Sequence, residues 1–125
     1  MIVGIGTDLV EIARIAASLD KLGLRFARRI LAEAELQAFE ESQQQAAFLA
    51  KRFAVKEATG KALGSGIGEG VNWAHIEVLH NELGAPQLAL HAKALERAQA
   101  LGARRWHVSI SDEAGLAQAF VVLED

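Results

Sequence analysis

The sequence predicts one α+β domain in which helices pack against a mainly antiparallel sheet. Short runs rich in β-branched residues, typical of strands, open the chain and recur in its second half. Long stretches with helical spacing of apolar residues lie between them, and the one proline, Pro86, interrupts none of these. The later strands come in pairs joined by short turns, which favours antiparallel pairing. Helices beside such a sheet define the α+β class.

The first half of the chain predicts one strand and three helices. Residues 2–10 are apolar and β-branched, as in a strand, and residues 11–22 read as a helix that ends near Gly23. Residues 30–42 carry apolar side chains at helical spacing. Residues 45–63 are rich in alanine and form the longest predicted helix.

The second half completes the order β-α-α-α-β-β-α-β-β. Residues 74–79 and 87–90 predict two strands around a turn that contains Asn and Gly, and residues 92–101 predict a helix closed by Gly102. A final hairpin is predicted from strands 105–111 and 116–123. Because no linker or repeat is visible in its 125 residues, we expect residues 1–125 to form a single domain.

Composition excludes several classes of function. The chain has no cysteine, which excludes thiol catalysis, disulfide scaffolds and zinc–thiolate sites. Its net charge of −3 argues against general nucleic-acid binding. No apolar run is long enough to span a membrane, and the first residues lack the pattern of a secretory signal. We therefore expect a cytoplasmic protein that binds neither nucleic acid nor a membrane.

Basic residues are concentrated near the start of the chain. Residues 11–30 contain five Lys or Arg residues against two acidic ones, although the whole chain is acidic. A basic patch on an acidic protein suggests that one acidic partner docks there. An ordinary solvated helix face is the alternative, and on charge alone it is the commoner case.

The first strand ends in a carboxylate that follows two glycines on the same face. Because side chains alternate along a strand, Gly4, Gly6 and Asp8 point the same way. Glycine lets another element or a ligand approach the backbone closely. A carboxylate beside such an approach can hold a hard cation. The alternative is that Asp8 caps the helix that follows.

The longest helix aims two charges toward its closely packed side. Its small residues form a narrow face, which consists of Ala47, Ala50, Ala54 and Ala58. Glu57 and Lys61 lie near this face by the helical repeat, and bare charges are costly where a helix packs. A simple ion pair between these two residues is the alternative. Spacing alone favours the ion pair.

The glycine-rich loop and the later strand offer weaker signals. Residues 64–70 follow a helix and lack a Gly-Lys-Ser/Thr ending, so they are neither a Walker loop nor a dinucleotide fingerprint. Their backbone N–H groups could approach phosphates, or the loop could simply end the helix. His107, Ser109 and Ser111 share one face of a strand, which could line a polar pocket or face water.

Five segments occur in a characteristic order along the chain: GIGTDLVE at 4–11, ILAEAE at 30–35, FAVKEATGKALGSG at 53–66, GAP at 84–86 and HVSIS at 107–111. Taken together and in this order, these segments resemble the holo-[acyl-carrier-protein] synthase family of 4′-phosphopantetheinyl transferases. The resemblance covers essentially the whole chain.

The resemblance implies a magnesium-dependent transferase with the family's fold. Such an enzyme moves 4′-phosphopantetheine from coenzyme A to a serine of an apo-acyl-carrier protein and releases adenosine 3′,5′-bisphosphate. The resemblance assigns Mg²⁺ binding to Asp8 and Glu57, and catalysis to these two residues with Lys61. It assigns coenzyme A binding to Lys61, Gly64, Ser65, Gly66, Pro86, His107 and Ser109. It also implies a homotrimer whose sites lie between subunits.

The acidic carrier protein would dock on the first helix. The residues matching that role are Arg14, Lys21, Phe26 and Arg28.

Two positions depart from the family pattern. Asp112 stands where a histidine is usual, and Gly60 lies inside the central helix, which it should weaken by about 1 kcal/mol unless close packing compensates.

Some alternatives stay open on the sequence. The proton of the carrier serine could pass to Glu57 or to a water on the metal. A non-catalytic module that binds coenzyme A would leave the paired carboxylates without a task. A metal-dependent phosphohydrolase would use the same carboxylates with water as the nucleophile, and it would leave the basic segment without a partner.

Overall fold

The computed structural model describes residues 1–125 and contains five α-helices and five strands. In chain order these are β1 (Ile2–Glu11), α1 (Ile12–Leu22), α2 (Leu24–Ile30), α3 (Glu33–Glu41), α4 (Gln45–Ala62), β2 (Ile76–His80), β3 (Pro86–Leu90), α5 (Ala92–Ala100), β4 (Arg105–Glu113) and β5 (Leu116–Glu124). One turn of 3₁₀ helix, Trp73–His75, precedes β2. None of the five helices combines the length and the apolar character that crossing a bilayer requires. The predicted α+β class is confirmed.

The strands form two antiparallel sheets. A three-stranded sheet has the order β1-β5-β4, so the first strand pairs with the last. The hairpin of β2 and β3 forms a separate two-stranded sheet. The prediction of mainly antiparallel pairing is therefore confirmed, because every strand pair is antiparallel.

The helix α2 is one more helix than the sequence predicted. Gly23 ends α1 with a φ of 66°, and a second short helix then begins at Leu24. It buries Ala27 and Ile30, which lie three residues apart on one helix face. Leu31 is extended, with a ψ of 141°, so the helix predicted for residues 30–42 begins instead at Glu33.

The long helix α4 lies directly on the backbone of β1. Ala50, Ala54 and Ala58 on this helix are fully buried. A Cβ atom added to Gly6 would lie 2.0 Å from the carbonyl oxygen of Ala58, and one added to Gly4 would lie 2.2 Å from that of Ala62. The predicted close approach to the glycine face is thus present, and the approaching element is a helix. Only glycine permits it.

The opposite face of the three-stranded sheet, which we call the outer face, is exposed. Three of its large apolar side chains, Ile5, Leu9 and Phe120, are 58%, 61% and 42% exposed. By the strand register, His107 and Ser109 share this face, since they pair with Val122 and Phe120. The outer face is therefore an apolar patch flanked by polar side chains.

Candidate active site

The packing of α4 on β1 brings Asp8 and Lys61 together. Lys61 Nζ donates hydrogen bonds to the carbonyl oxygen of Thr7 at 2.9 Å and to Asp8 Oδ1 at 3.2 Å. The Asp8 side chain is 18% exposed and that of Lys61 is 56% exposed. Glu11, not Asp8, precedes α1 as its cap residue, so the capping alternative is excluded. Lys61 pairs with Asp8 instead. The prediction of an ion pair between Glu57 and Lys61, which spacing favoured, is therefore wrong.

Glu57 faces the same space from α4, one helical turn before Lys61. Burial is the main cause that raises the pKa of this half-buried carboxyl, and the negative charge of Asp8 raises it further. The Lys61 ammonium lowers the pKa and does not offset the other two causes. The electrostatic influence of Asp8 on Glu57 places the two predicted carboxylates in one neighbourhood.

Trp73 completes this neighbourhood and was missed by the sequence analysis. Its indole Nε1 is buried and has no hydrogen-bond partner at normal geometry. The indole still lowers the pKa of Glu57, so its N–H lies toward that carboxylate at a longer range than a good hydrogen bond. The ring also contacts Phe53, with centroids 5.9 Å apart. A tryptophan after a glycine loop is a signal, since an indole N–H needs a partner wherever that end of the ring is buried.

The donor chemistry of this neighbourhood fits Mg²⁺. Asp8 and Glu57 supply oxygen ligands, and Mg²⁺ usually takes one or two carboxylates along with waters and substrate phosphates. No cluster of three or more His, Cys, Asp or Glu side chains is arranged to hold a metal. The two carboxylates therefore suit an open site that a phosphate substrate completes. A divalent cation would also offset the repulsion by Asp8 that, after burial, raises the pKa of Glu57.

The glycine loop packs against α4, and part of its backbone is already used. The N–H groups of Gly64 and Gly66 donate to the carbonyl oxygens of Lys61 and Gly60 at 3.0 and 2.9 Å. Two of the predicted phosphate-binding N–H groups thus cap the helix. A Cβ atom added to Gly60 would lie 3.0 Å from Gly66, so close packing explains this helix glycine. Ser65 lines an open groove of about 410 Å³ beside the loop.

A second depression, which we call the basic cavity, lies near the other end of α4. It measures about 380 Å³ and is lined by Phe48, Lys51, Arg52, His80, Gly84, Pro86, Ile110 and Asp112. Burial lowers the pKa of His80, and the charges of Arg52 and Lys51 lower it further. The predicted residue Pro86 is in this cavity, and so is Asp112. The cationic side chains were not singled out by the sequence analysis.

The structure does not bring His107 and Ser109 to Asp8 and Glu57 within one chain. Both lie on the outer face, which is opposite to the face that α4 covers. His107 Nε2 hydrogen-bonds to Glu124 Oε1 at 2.8 Å, and this contact lowers the pKa of Glu124. These two predicted residues remain apart from the carboxylates in a single subunit.

The predicted carrier-binding residues lie on two helices rather than one. Arg14 and Lys21 are exposed on α1, whereas Phe26 and Arg28 follow the Gly23 break and lie on α2. Arg28 is exposed and Phe26 is half-buried. The resulting basic surface spans a helix pair with an aromatic side chain in it.

Comparisons with known proteins agree with this arrangement. Residues 4–118 match the model of the 4′-phosphopantetheinyl transferase superfamily. A holo-[acyl-carrier-protein] synthase of Hydrogenovibrio crunogenus is 53% identical over 124 residues, which cover 99% of this chain and 98% of that protein.

Two solved structures agree with the fold. The crystal structure of the holo-[acyl-carrier-protein] synthase of Neisseria meningitidis has a TM-score of 0.92 and 42% identity, with all of both chains covered. That of Helicobacter pylori, in complex with coenzyme A, has a TM-score of 0.83 and 32% identity, covering 96% of this chain and 99% of that one. The chain belongs to the holo-[acyl-carrier-protein] synthase family of 4′-phosphopantetheinyl transferases.

Proposed function

We propose that the chain transfers 4′-phosphopantetheine from coenzyme A to a serine of an apo-acyl-carrier protein, with Mg²⁺ bound by Asp8 and Glu57. The observation that carries the proposal is the convergence of these carboxylates with Lys61, from a strand and a helix far apart in sequence. The names of full-length relatives support the substrates.

The chemistry is a substitution at the β-phosphorus of coenzyme A. The serine oxygen forms the new P–O bond, and the bond to adenosine 3′,5′-bisphosphate breaks with its electron pair. Such transfers need placement and charge neutralisation more than covalent help. Bound Mg²⁺ supplies positive charge beside the pyrophosphate. Lys61, which is more than half exposed, can turn its ammonium from Asp8 to a phosphate oxygen.

Glu57 is suited to accept the proton of the carrier serine. Its carboxylate faces the same space as Asp8 and Lys61, and a carboxylate held beside the reacting hydroxyl is one of the groups that serve as a general base. Asp8, in contrast, forms a direct ion pair with Lys61 before substrate binds. The two carboxylates therefore have different surroundings and different parts in the proposal.

The basic cavity supports the placement of the nucleotide. Lys51 and Arg52 offer positive charge to phosphate, His80 offers a ring N–H donor, and Pro86 adds an apolar wall. The carboxylate of Asp112 in the same cavity opposes part of that charge. We infer that the adenosine bisphosphate portion of coenzyme A occupies this cavity.

The outer face supports a homotrimer with sites between subunits. Ile5, Leu9 and Phe120 form an exposed apolar patch of the kind that marks protein–protein interfaces. A neighbouring subunit that covers this face would also meet His107 and Ser109. These residues would then contribute to a coenzyme A site across the subunit boundary.

The variant Phe120→Glu tests this assembly. A buried glutamate at the centre of an apolar interface is costly, so we expect the trimer to dissociate and transfer to fall at least about 100-fold. Light scattering after size-exclusion chromatography measures the mass. Leu83→Glu is the control, since Leu83 is 95% exposed at a hairpin tip. A Phe120→Glu trimer with normal transfer would contradict the assembly.

The basic surface on α1 and α2 predicts a charge-dependent carrier interaction. Arg14→Glu combined with Arg28→Glu should raise the KM for the carrier about tenfold or more at low salt, because both charges are reversed. The KM for coenzyme A should stay unchanged, and Arg104→Glu, on an exposed loop, should change neither value. Carrier kinetics unaltered by the double reversal would exclude this surface as the docking site.

One assay separates the proposed transferase from its rivals. The protein is incubated with coenzyme A, Mg²⁺ and apo-carrier protein, and the carrier mass is then measured. A mass gain equal to phosphopantetheine supports transfer. Free phosphopantetheine would indicate a hydrolase, and unchanged coenzyme A would indicate a binding module.

A further inference from the structure

A buried carboxylate outside the candidate site receives four hydrogen bonds. Glu35 on α3 is 2% exposed. Its Oε1 accepts from the N–H of Ala32 at 2.8 Å and from Lys56 Nζ at 2.5 Å. Its Oε2 accepts from Arg52 Nη1 at 2.8 Å and from the N–H of Val78 at 3.0 Å. One carboxylate thus connects α3, α4 and β2. Its contacts with Lys56 and Arg52 connect it to two different regions of the protein.

Through Lys56, Glu35 is connected to the region that contains Asp8 and Glu57. Lys56 is fully buried, and besides Glu35 its ammonium donates to the carbonyl oxygens of Ile30 at 2.8 Å and Trp73 at 3.2 Å. Trp73 is the residue whose indole lies toward Glu57, and Lys56 directly precedes Glu57 on α4. Lys56 therefore fixes the backbone that carries both side chains.

Through Arg52, Glu35 is connected to the basic cavity. Arg52 is held by Glu35, by the carbonyl oxygen of Val78 at 3.0 Å and by the ring of Phe48, 4.5 Å from its guanidinium carbon. Arg52 and Phe48 both line the cavity. The orientation of this cavity wall thus depends on the same carboxylate that holds Lys56.

Stability alone does not explain why Glu35, Lys56 and Arg52 form a buried charged cluster. A buried ion pair often contributes no more to stability than well-packed apolar residues of similar volume, because desolvation offsets the attraction. Burial tends to neutralise both partners, and here the attraction of Lys56 keeps the pKa of Glu35 lowered. What apolar residues would not supply is the set of directed hydrogen bonds that holds Lys56 and Arg52 in place.

We propose that Glu35 is a positioning residue for the transfer reaction, holding the Trp73–Glu57 pair through Lys56 and the wall of the basic cavity through Arg52. The inference rests on the proposed function, in which these two regions bind the pyrophosphate with its metal and the nucleotide. Glu35 touches neither ligand, so its part is to hold both regions in place through Lys56 and Arg52.

The test compares Glu35→Gln with the double variant Glu35→Gln/Lys56→Met. The double variant removes the lysine charge that glutamine would leave uncompensated, so it preserves the fold if the single variant does not. For each folded variant we expect kcat to fall about 100-fold, as a small misplacement of reacting groups does. We expect the KM for coenzyme A to rise only a few-fold.

Two further measurements separate positioning from plain destabilisation. Leu123→Ala is the control, since it opens the core beside Gly4, away from the cluster, and should lower the melting temperature while leaving kcat unchanged. In a Trp106→Phe background, the emission of Trp73 should shift in the Glu35 variants and not in the control.

The outcomes distinguish this inference from the proposed function. Normal kcat and normal Trp73 emission in a folded Glu35 variant would overturn the positioning role, even if the melting temperature fell. A wild-type protein that transfers nothing to the carrier would instead refute the proposed function.

Discussion

Glu57→Gln will lower the transfer rate about 1,000-fold or more and leave the protein folded. Glutamine keeps the shape of the side chain but removes the charge that holds the cation and the group that accepts the serine proton. Loss of one such electrostatic or acid–base element typically costs 100-fold to 10,000-fold. The measurement is kcat for carrier modification at saturating coenzyme A and Mg²⁺. Glu40→Gln, at an exposed position on α3, is the control.

The same variant should be more stable than the wild type at neutral pH without metal. Burial raises the pKa of Glu57 in the folded state, so the unfolded state loses this proton at lower pH. The contribution of Glu57 to stability is therefore favourable below its unfolded pKa and is lost as the pH rises through its folded pKa. A permanently neutral side chain avoids that loss, which a higher melting temperature at pH 7 would reveal.

Magnesium should reverse the order of stability of the wild type and Glu57→Gln. A ligand that binds only the folded state raises its melting temperature, and the effect grows with concentration. Mg²⁺ together with coenzyme A should therefore stabilise the wild type and have little effect on Glu57→Gln. Equal stabilisation of both proteins, or normal transfer by the variant, would contradict the assignment of Glu57.

Gly6→Ala should destabilise the fold by about 3 kcal/mol or more. The new methyl group would lie 2.0 Å from the carbonyl oxygen of Ala58 and 2.8 Å from the N–H nitrogen of Ala62. Both are backbone atoms of α4, so no side chain can turn aside and the helix must move off the strand. Overpacking commonly costs 1–3 kcal/mol, and a clash with main chain lies at or beyond the upper end. Urea unfolding measures the loss.

Gly60→Ala provides the comparison for this change. Its added methyl group meets the loop backbone at 3.0 Å, a much milder contact, and alanine favours the helix by about 1 kcal/mol over glycine. Its net effect should therefore be small. Similar losses for the two variants would show that the approach of α4 to β1 is less tight than the structure indicates.

The site could be predicted where it depends on local periodicity. The alternation of a strand places Gly4, Gly6 and Asp8 on one face, and the helical repeat turns Glu57 and Lys61 toward the packed side of α4. These two patterns, with the family resemblance, were enough to select the carboxylates. The pairing of Lys61 with Asp8 could not be predicted, because it depends on how a helix crosses a strand.

The residues that were missed depend on contacts distant in sequence. Glu35 looks like any glutamate in the first turn of a helix, and only the partners from α4 and β2 reveal that it is buried. Arg52 and His80 meet only when the β2–β3 hairpin packs beside α4. The helix α2 is not predicted because a glycine after a helical stretch usually ends helical structure, whereas Gly23 separates two helices.

The contact between α4 and β1 joins main chain to main chain. The relative position of Asp8 and Glu57 is therefore determined by two rigid segments, and rotamer changes can alter it only at the side-chain ends. A metal site built in this way loses little conformational entropy when the ion binds. Cation affinity should accordingly vary little among variants that change the surface of α4, which leaves that surface free to diverge with the partner it meets.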